Sequence, residues 1–271
     1  MIKRIYLEIT NACNLNCPFC ENDKGNSFMD IEKIKNILSQ IKEVCNYIYL
    51  HVLGEPLLHP NIEEILTYCD NLDLNVQLVT NGLLLYKDLL KHKCLRKLSI
   101  SLHAVNNLNI DYSYFENIKN IILDNKVNIE LRFYDFNNLD NRLKKFLKEL
   151  NEKYQIRETK KNNSYILKEN TYIYLQDFFR WPNINDEVIG NNGKCLGAIS
   201  QIAILHDYNV TICCLDPKGY NRIGNLHNSS LKEILNSEEY KKVLKDLRNN
   251  KLSKELCTKC SYRLRFGERD N

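Results

Sequence analysis

Short runs rich in Ile, Leu, Val and Tyr recur through the first half of the chain. They fall at Arg4–Thr10, Tyr47–Leu53, Asn75–Thr80, Lys97–His103 and Asn128–Tyr134, and runs of this length and composition read as strands. Between them the apolar positions change period. In residues 31–45, Ile31, Ile34, Ile37, Leu38, Ile41 and Val44 recur at steps of three and four, which draws one stripe along a helix. Residues 62–69, 113–125 and 140–151 repeat that pattern. Strand alternating with helix predicts parallel strands with helices packed outside them. A sixth strand is expected at Thr171–Leu175. A full eight-fold barrel typically takes about 250 residues, whereas the alternation here ends by about residue 180. The expected fold is α/β: an open, partial TIM-like (β/α)6 barrel over residues 1–185. The connection from 155 to 170 carries no clear pattern.

The pattern changes after Trp181. The stretch PNINDEVIGNNGK is turn-rich and reads as a linker. Ala203–His206 and Val210–Cys213 flank Asp-Tyr-Asn and predict a β-hairpin. An amphipathic helix from about Leu231 to Leu247 and a terminal Cys-x-x-Cys follow. Residues 186–271 therefore read as a second domain, too small for a large core and expected to need a metal staple.

Composition narrows the class. Nothing approaches eighteen consecutive apolar residues, so no membrane span is expected. The opening MIKRIYLEIT enters a strand pattern at once, with no small-residue cleavage site after it, and a cytoplasmic protein is expected. In that setting eleven cysteines do not suggest a disulfide framework. Cys45, Cys69 and Cys94 stand alone and are expected to be small buried hydrophobes. The other eight cluster towards the two ends of the chain.

Directly after the first strand comes Asn11-Ala12-Cys13-Asn14-Leu15-Asn16-Cys17-Pro18-Phe19-Cys20. A cubane cluster held by protein alone takes four thiolates, one per iron. Three cysteines in a short loop grip three irons and leave the fourth open to a small molecule. The alternative is a zinc site with His51 as fourth ligand. Cys13-x3-Cys17-x2-Cys20, with an aromatic residue before the last cysteine, resembles the signature of the radical S-adenosylmethionine (SAM) superfamily. The resemblance implies a [4Fe–4S] cluster on Cys13, Cys17 and Cys20, whose open iron binds SAM. One-electron cleavage would then yield a 5′-deoxyadenosyl radical that abstracts hydrogen from substrate. It also implies an external one-electron reductant such as a flavodoxin or ferredoxin, and places Phe19 near the adenine.

Further segments fit at the C-terminal ends of expected strands, where barrel enzymes assemble their sites. Gly54-Glu55-Pro56 resembles the superfamily's Gly-Gly-Glu element for the cofactor's amino group, with Leu53 in place of the first glycine. Thr80-Asn81-Gly82 resembles a triplet often found after the third strand, and an Asn-Gly turn explains it equally well. Ser101 ends the fourth strand, where a serine often contacts the cofactor's ribose or carboxylate. Arg132 lies in the fifth, where an arginine often pairs with that carboxylate. His103 is expected to be a hydrogen-bonded structural histidine.

Cys195, Cys213, Cys214, Cys257 and Cys260 remain. Four ligands from separated segments would staple the hairpin to the distal part of the chain, holding either a cluster or zinc. The run from Cys195 through Ile223-Gly224-Asn225 to Cys257-Thr258-Lys259-Cys260 resembles the auxiliary-cluster domains called SPASM and twitch. Size and spacing look most like the 2-deoxy-scyllo-inosamine dehydrogenases, twitch enzymes with one auxiliary [4Fe–4S] cluster. By that likeness Cys195, Cys213, Cys257 and Cys260 are the ligands and Cys214 is spare, although adjacency leaves Cys213 and Cys214 interchangeable at this point. The formal charge of +4 falls to about +1 once seven thiolates and two cluster cores of about +2 are counted. That is no footprint for nucleic acid.

A fully ligated auxiliary cluster can accept an electron from a carbon radical beside a hydroxyl. The leading expectation is therefore oxidation of an alcohol to a ketone in a small polar substrate, such as a sugar or aminocyclitol. Asp216 and Arg180, near the expected domain junction, are the candidates for handling the proton. A competing reading is radical crosslinking or epimerisation of a ribosomally made peptide, weakened because only twelve residues precede Cys13. A third is a non-catalytic iron–sulfur or zinc protein.

Overall fold

The computed structural model describes residues 2–21, 25–123, 126–159, 163–177 and 180–267. Six parallel strands form its centre: β1 (Arg4–Leu7), β2 (Tyr47–Tyr49), β3 (Asn75–Thr80), β4 (Leu95–Ser101), β5 (Asn128–Tyr134) and, after a hairpin, β8 (Thr171–Gln176). Helices α1 (Ile31–Lys42), α2 (Ile62–Asn71), α3 (Ser113–Leu123) and α4 (Asn141–Tyr154) form the connections. Only a short 3-10 turn at Lys87–Lys91 joins β3 to β4.

Capping sets the helix boundaries. The Asp30 carboxylate accepts from Glu32 N and Lys33 N to start α1, and Asp140 does the same for Arg142 N and Leu143 N at α4. The expected stripe Ile34, Ile37, Leu38 and Ile41 is buried. Along the strands a period of two separates two different faces. On β1, Ile5 and Leu7 are fully buried, while Arg4 and Tyr6 alternate with them and stay partly accessible. On β5, Ile129, Leu131 and Phe133 are buried, against Glu130 and Arg132. One face carries the aliphatic core, and the other carries polar and aromatic side chains. Tyr6 and Tyr49 are register partners with rings stacked at 4.5 Å, and Ser99 Oγ donates to Glu130 at 2.8 Å.

The segment at 155–170 holds the hairpin, β6 (Arg157–Glu158) and β7 (Ser164–Lys168), which runs antiparallel onto β8. The strands β9 (Gln201–Ile204), β10 (Asn209–Thr211) and β11 (Arg222–Asn225) extend the opposite edge. There β9 pairs in parallel with β1 from Arg4↔Gln201 to Leu7↔Ile204. One eleven-stranded sheet thus runs across the boundary at residue 185, in the order β11-β10-β9-β1-β2-β3-β4-β5-β8-β7-β6. The helix expected at 231–247 is two, α5 (Leu231–Asn236) and α6 (Glu238–Arg248). Ser237 breaks it, because its hydroxyl caps α6 by accepting from Tyr240 N. A last short helix, α7 (Glu255–Lys259), carries Cys257.

Candidate functional site

The loop after β1 is held by its own backbone. Thr10 Oγ donates to Ser27 O at 2.7 Å and accepts from Ala12 N at 3.0 Å. Glu55 N donates to Ala12 O at 2.8 Å. That bond draws Gly54 so close that a Cβ there would stand 2.4 Å from Thr10 O and 2.9 Å from Ala12 O; its φ of +74° is left-handed as well. Only glycine fits both demands. The loop presents Cys13, Cys17 and Cys20 to one cavity of about 340 Å³. Burial, helped at Cys17 by the neighbouring thiols, pushes Cys13 up and Cys17 up to about 12. Such thiols keep their protons until a metal displaces them.

Phe19, Gly54, Ser101 and Arg132 also line this cavity. Arg132 donates to Tyr134 Oη and to Gln176 Oε1. His103 shares a hydrogen bond between its Nδ1 and Arg132 O at 3.1 Å and stacks on Tyr134 at 3.8 Å, so it is both structural and part of the wall. Burial drives its pKa down to about 3 and keeps it neutral.

Four expected site residues lie elsewhere. Glu55 is 2% exposed and is not among the lining residues. Its carboxylate accepts from Asn81 N at 2.7 Å and Leu57 N at 3.1 Å, tying the β2 loop to the end of β3. Asn81 accepts from Leu83 N and donates to Asn14, bracing the cysteine loop from behind. Asp216 is fully buried, and its carboxylate accepts from Thr211 Oγ and from Tyr220 N and Asn221 N. Arg180 is exposed and pairs with Asp186. Neither of the last two lines the cavity. Sequence reasoning did not single out Tyr6, Tyr49, Gln77, Tyr134 and Tyr262, all of which line it. For the strand residues the signal was the polar and aromatic alternation on the inner face. His51, considered only as a zinc ligand, lines the cavity too. Its Nδ1 is buried without a hydrogen-bond partner among the described residues, and burial holds the ring neutral with a pKa of about 3.

The distal cysteines separate into two environments. Cys195, Cys213, Cys257 and Cys260 line a small buried pocket with Asp216, Asn221 and Arg263. N–H donors point at their sulfurs: Gly197 N to Cys195 at 3.3 Å, Leu215 N to Cys213 at 3.4 Å and Asn221 Nδ2 to Cys257 at 3.3 Å. Cys214 instead lines the large cavity, beside Tyr6 and Tyr262. Leu215 lines both spaces.

Comparison with known proteins follows these two centres. The sequence model described as the Radical SAM superfamily matches residues 7–181, well over half of the chain. The chain belongs to the radical SAM superfamily. A second model, SPASM, an iron–sulfur cluster-binding domain, matches residues 195–261. Among curated relatives, the AdoMet-dependent heme synthase of Methanosarcina barkeri is 30% identical over 106 residues, 36% of this chain and 30% of that protein. The PqqA peptide cyclase of Bradyrhizobium diazoefficiens is 29% identical over 89 residues, 31% and 23% of the two. These matches span under a third of the relatives' length. Among solved structures, BtrN in complex with AdoMet and 2-DOIA superposes over 96% of this chain and 93% of its own, with a TM-score of 0.64 at 18% identity. Native anSMEcpe with AdoMet and the Kp18Cys peptide covers 90% and 83%, at 0.62 and 13%. These two likenesses establish the fold.

The two matched domains imply a SAM-binding [4Fe–4S] cluster and an auxiliary [4Fe–4S] cluster, and the donor sets fit. Three thiols open onto a cavity with the close Gly54 backbone beside them. The other four are enclosed and served by N–H groups, as thiolates are. A cubane takes one thiolate per iron and so spreads its ligands. No helix among the described residues is long and apolar enough to cross a membrane.

Proposed function

We propose that this radical SAM enzyme oxidises a secondary hydroxyl of a small polar substrate, such as a sugar or aminocyclitol, to a ketone. The observation that carries the reading is the shared wall. Leu215 lines the reaction cavity on one side and the four-cysteine pocket on the other, so a substrate radical would stand one residue from an electron acceptor. When loaded, the two centres supply a 5′-deoxyadenosyl radical at one wall and a one-electron oxidant at the other.

The chain's own residues do the rest. Tyr6, Tyr49 and Gln77 offer hydroxyl and amide groups to a polyhydroxylated ligand, and Phe19, His103 and Tyr134 form an aromatic rim. Arg132 supplies a fork for a carboxylate, consistent with the SAM methionine group. Asp216 and Arg180 do not reach the cavity, and burial makes His51 too weak a base to replace them; the hydroxyl proton, far more acidic in an α-hydroxy radical than in its parent alcohol, leaves to water. The enzyme would draw its first electron from a flavodoxin or ferredoxin.

The test is anaerobic reconstitution followed by turnover with SAM, a one-electron reductant and a panel of polyols and aminocyclitols. The expected result is one 5′-deoxyadenosine per ketone formed. Deoxyadenosine formed together with an epimerised or crosslinked product, without net oxidation, would overturn the reading.

A further inference from the structure

The four-cysteine pocket has two side-chain donors supplied from outside its own loops. Asn221 is 2% exposed and donates from Nδ2 to Cys257 Sγ at 3.3 Å. Its backbone N–H is fixed by the buried Asp216 carboxylate at 2.7 Å, and Thr211 and Tyr220 hold that carboxylate in turn. Gln201, on β9, places Nε2 between two sulfurs, 3.8 Å from Cys213 Sγ and 3.9 Å from Cys214 Sγ. An amide can usually be read either way round, but here one side is decided. Gln201 Oε1 accepts from Arg4 Nε at 3.0 Å and Arg4 Nη2 at 2.9 Å. A guanidinium has only donors, so the carbonyl must face Arg4 and the NH₂ must face the sulfurs. The Arg4 guanidinium, which also hydrogen-bonds Tyr49, places positive charge behind this relay.

Hydrogen bonds to cluster sulfurs are among the factors that set an iron–sulfur potential. An N–H aimed at a thiolate stabilises the more negative, reduced state more than the oxidised one. Positive charge behind the donor acts in the same direction. We infer that Asn221, held by Asp216, and Gln201, held by Arg4, are positioning residues that raise the auxiliary cluster's reduction potential and so make it an electron acceptor. This rests on the proposed oxidation and explains it. It also gives Asp216 a purpose other than proton transfer: it orients the donor to Cys257.

The test is an EPR-monitored redox titration of the fully reconstituted chain, following the cluster whose signal does not respond to SAM. Asn221→Leu and Arg4→Met should each lower its potential. At a fixed solution potential the reduced-to-oxidised ratio should fall roughly tenfold for each lost charge-assisted bond, which is about 59 mV for one electron. Iron content must stay at about eight per chain. If Asn221→Leu loses iron, the isosteric Asn221→Asp takes its place, and Arg4→Met, remote from the sulfurs, is measured in any case. An unchanged potential in either position, with iron retained, overturns the inference while leaving the oxidation standing. A wild-type chain with about four irons and one zinc overturns both. A shifted potential without ketone product overturns the oxidation alone.

Discussion

Replacing Gly54 by Ala tests how the cysteine loop is held. The new Cβ would stand 2.4 Å from Thr10 O, about an ångström inside ordinary contact, and 2.9 Å from Ala12 O. Neither carbonyl is a flexible tip. Thr10 is fixed through its hydroxyl to Ser27 O and Ala12 N, and Ala12 O accepts the Glu55 N–H. Keeping φ at +74° costs a residue with a Cβ about 1–2 kcal/mol. Relieving the clash gives up the Glu55–Ala12 bond, about 1 kcal/mol more, so the perturbation reaches about 3 kcal/mol. A domain with about 5–15 kcal/mol of stability survives that, so the fold remains while the Cys13 loop moves. The expected outcome is selective: iron falls from about eight per chain towards about four, SAM binding is lost, and the auxiliary cluster's EPR signal persists. A Gly54→Ala protein with full iron and wild-type SAM affinity would refute the packing argument.

Two further outcomes follow from the same geometry. Cys213→Ser should lose the auxiliary cluster, whereas Cys214→Ser, on the cavity side, should keep about eight irons per chain; equal iron loss in both would reverse the assignment. Burial raises Cys195 and Cys260 to about 11 from an ordinary 9, so between those values the folded, cluster-free chain binds more protons than the unfolded one. Its denaturation midpoint should therefore fall as pH rises from 9 to 11. The cluster-loaded chain, already deprotonated at those sulfurs, should lack this decline. Urea melts at four pH values on both forms would show it, and parallel slopes would disprove it.

The parts legible in the sequence were those written by local periodicity or by spacing. The stripe from Ile34 to Ile41, the strand runs and Cys13-x3-Cys17-x2-Cys20 each need only a short window. Residues whose roles depend on distant partners were harder. Glu55 stands out through the resemblance of Gly54-Glu55-Pro56 to Gly-Gly-Glu, and nothing in the sequence signals that its carboxylate accepts from Asn81 N and Leu57 N. Asp216 looked like a base because of its place near Cys213, yet Thr211, Tyr220 and Asn221 hold it. Conversely, Tyr6 and Tyr49 read as ordinary strand residues until the sheet brings them onto one cavity. Cys213 and Cys214 could not be told apart by spacing. The two sulfurs lie near one another, both within 4 Å of Gln201 Nε2, and only the position of the two pockets decides which faces which centre.

The pairing of β1 with β9 has a consequence for how the molecule is made. Arg4 and Gln201 are register partners, so one edge of the first strand has no neighbour until some two hundred residues have been synthesised. At about 5–20 residues per second that strand waits roughly ten to forty seconds with a row of backbone groups unpaired, the kind of edge that recruits foreign strands. Such a long-range closure also slows folding once the chain is complete. Translation rate therefore sets how long that edge stays open, and slower elongation lengthens the exposure.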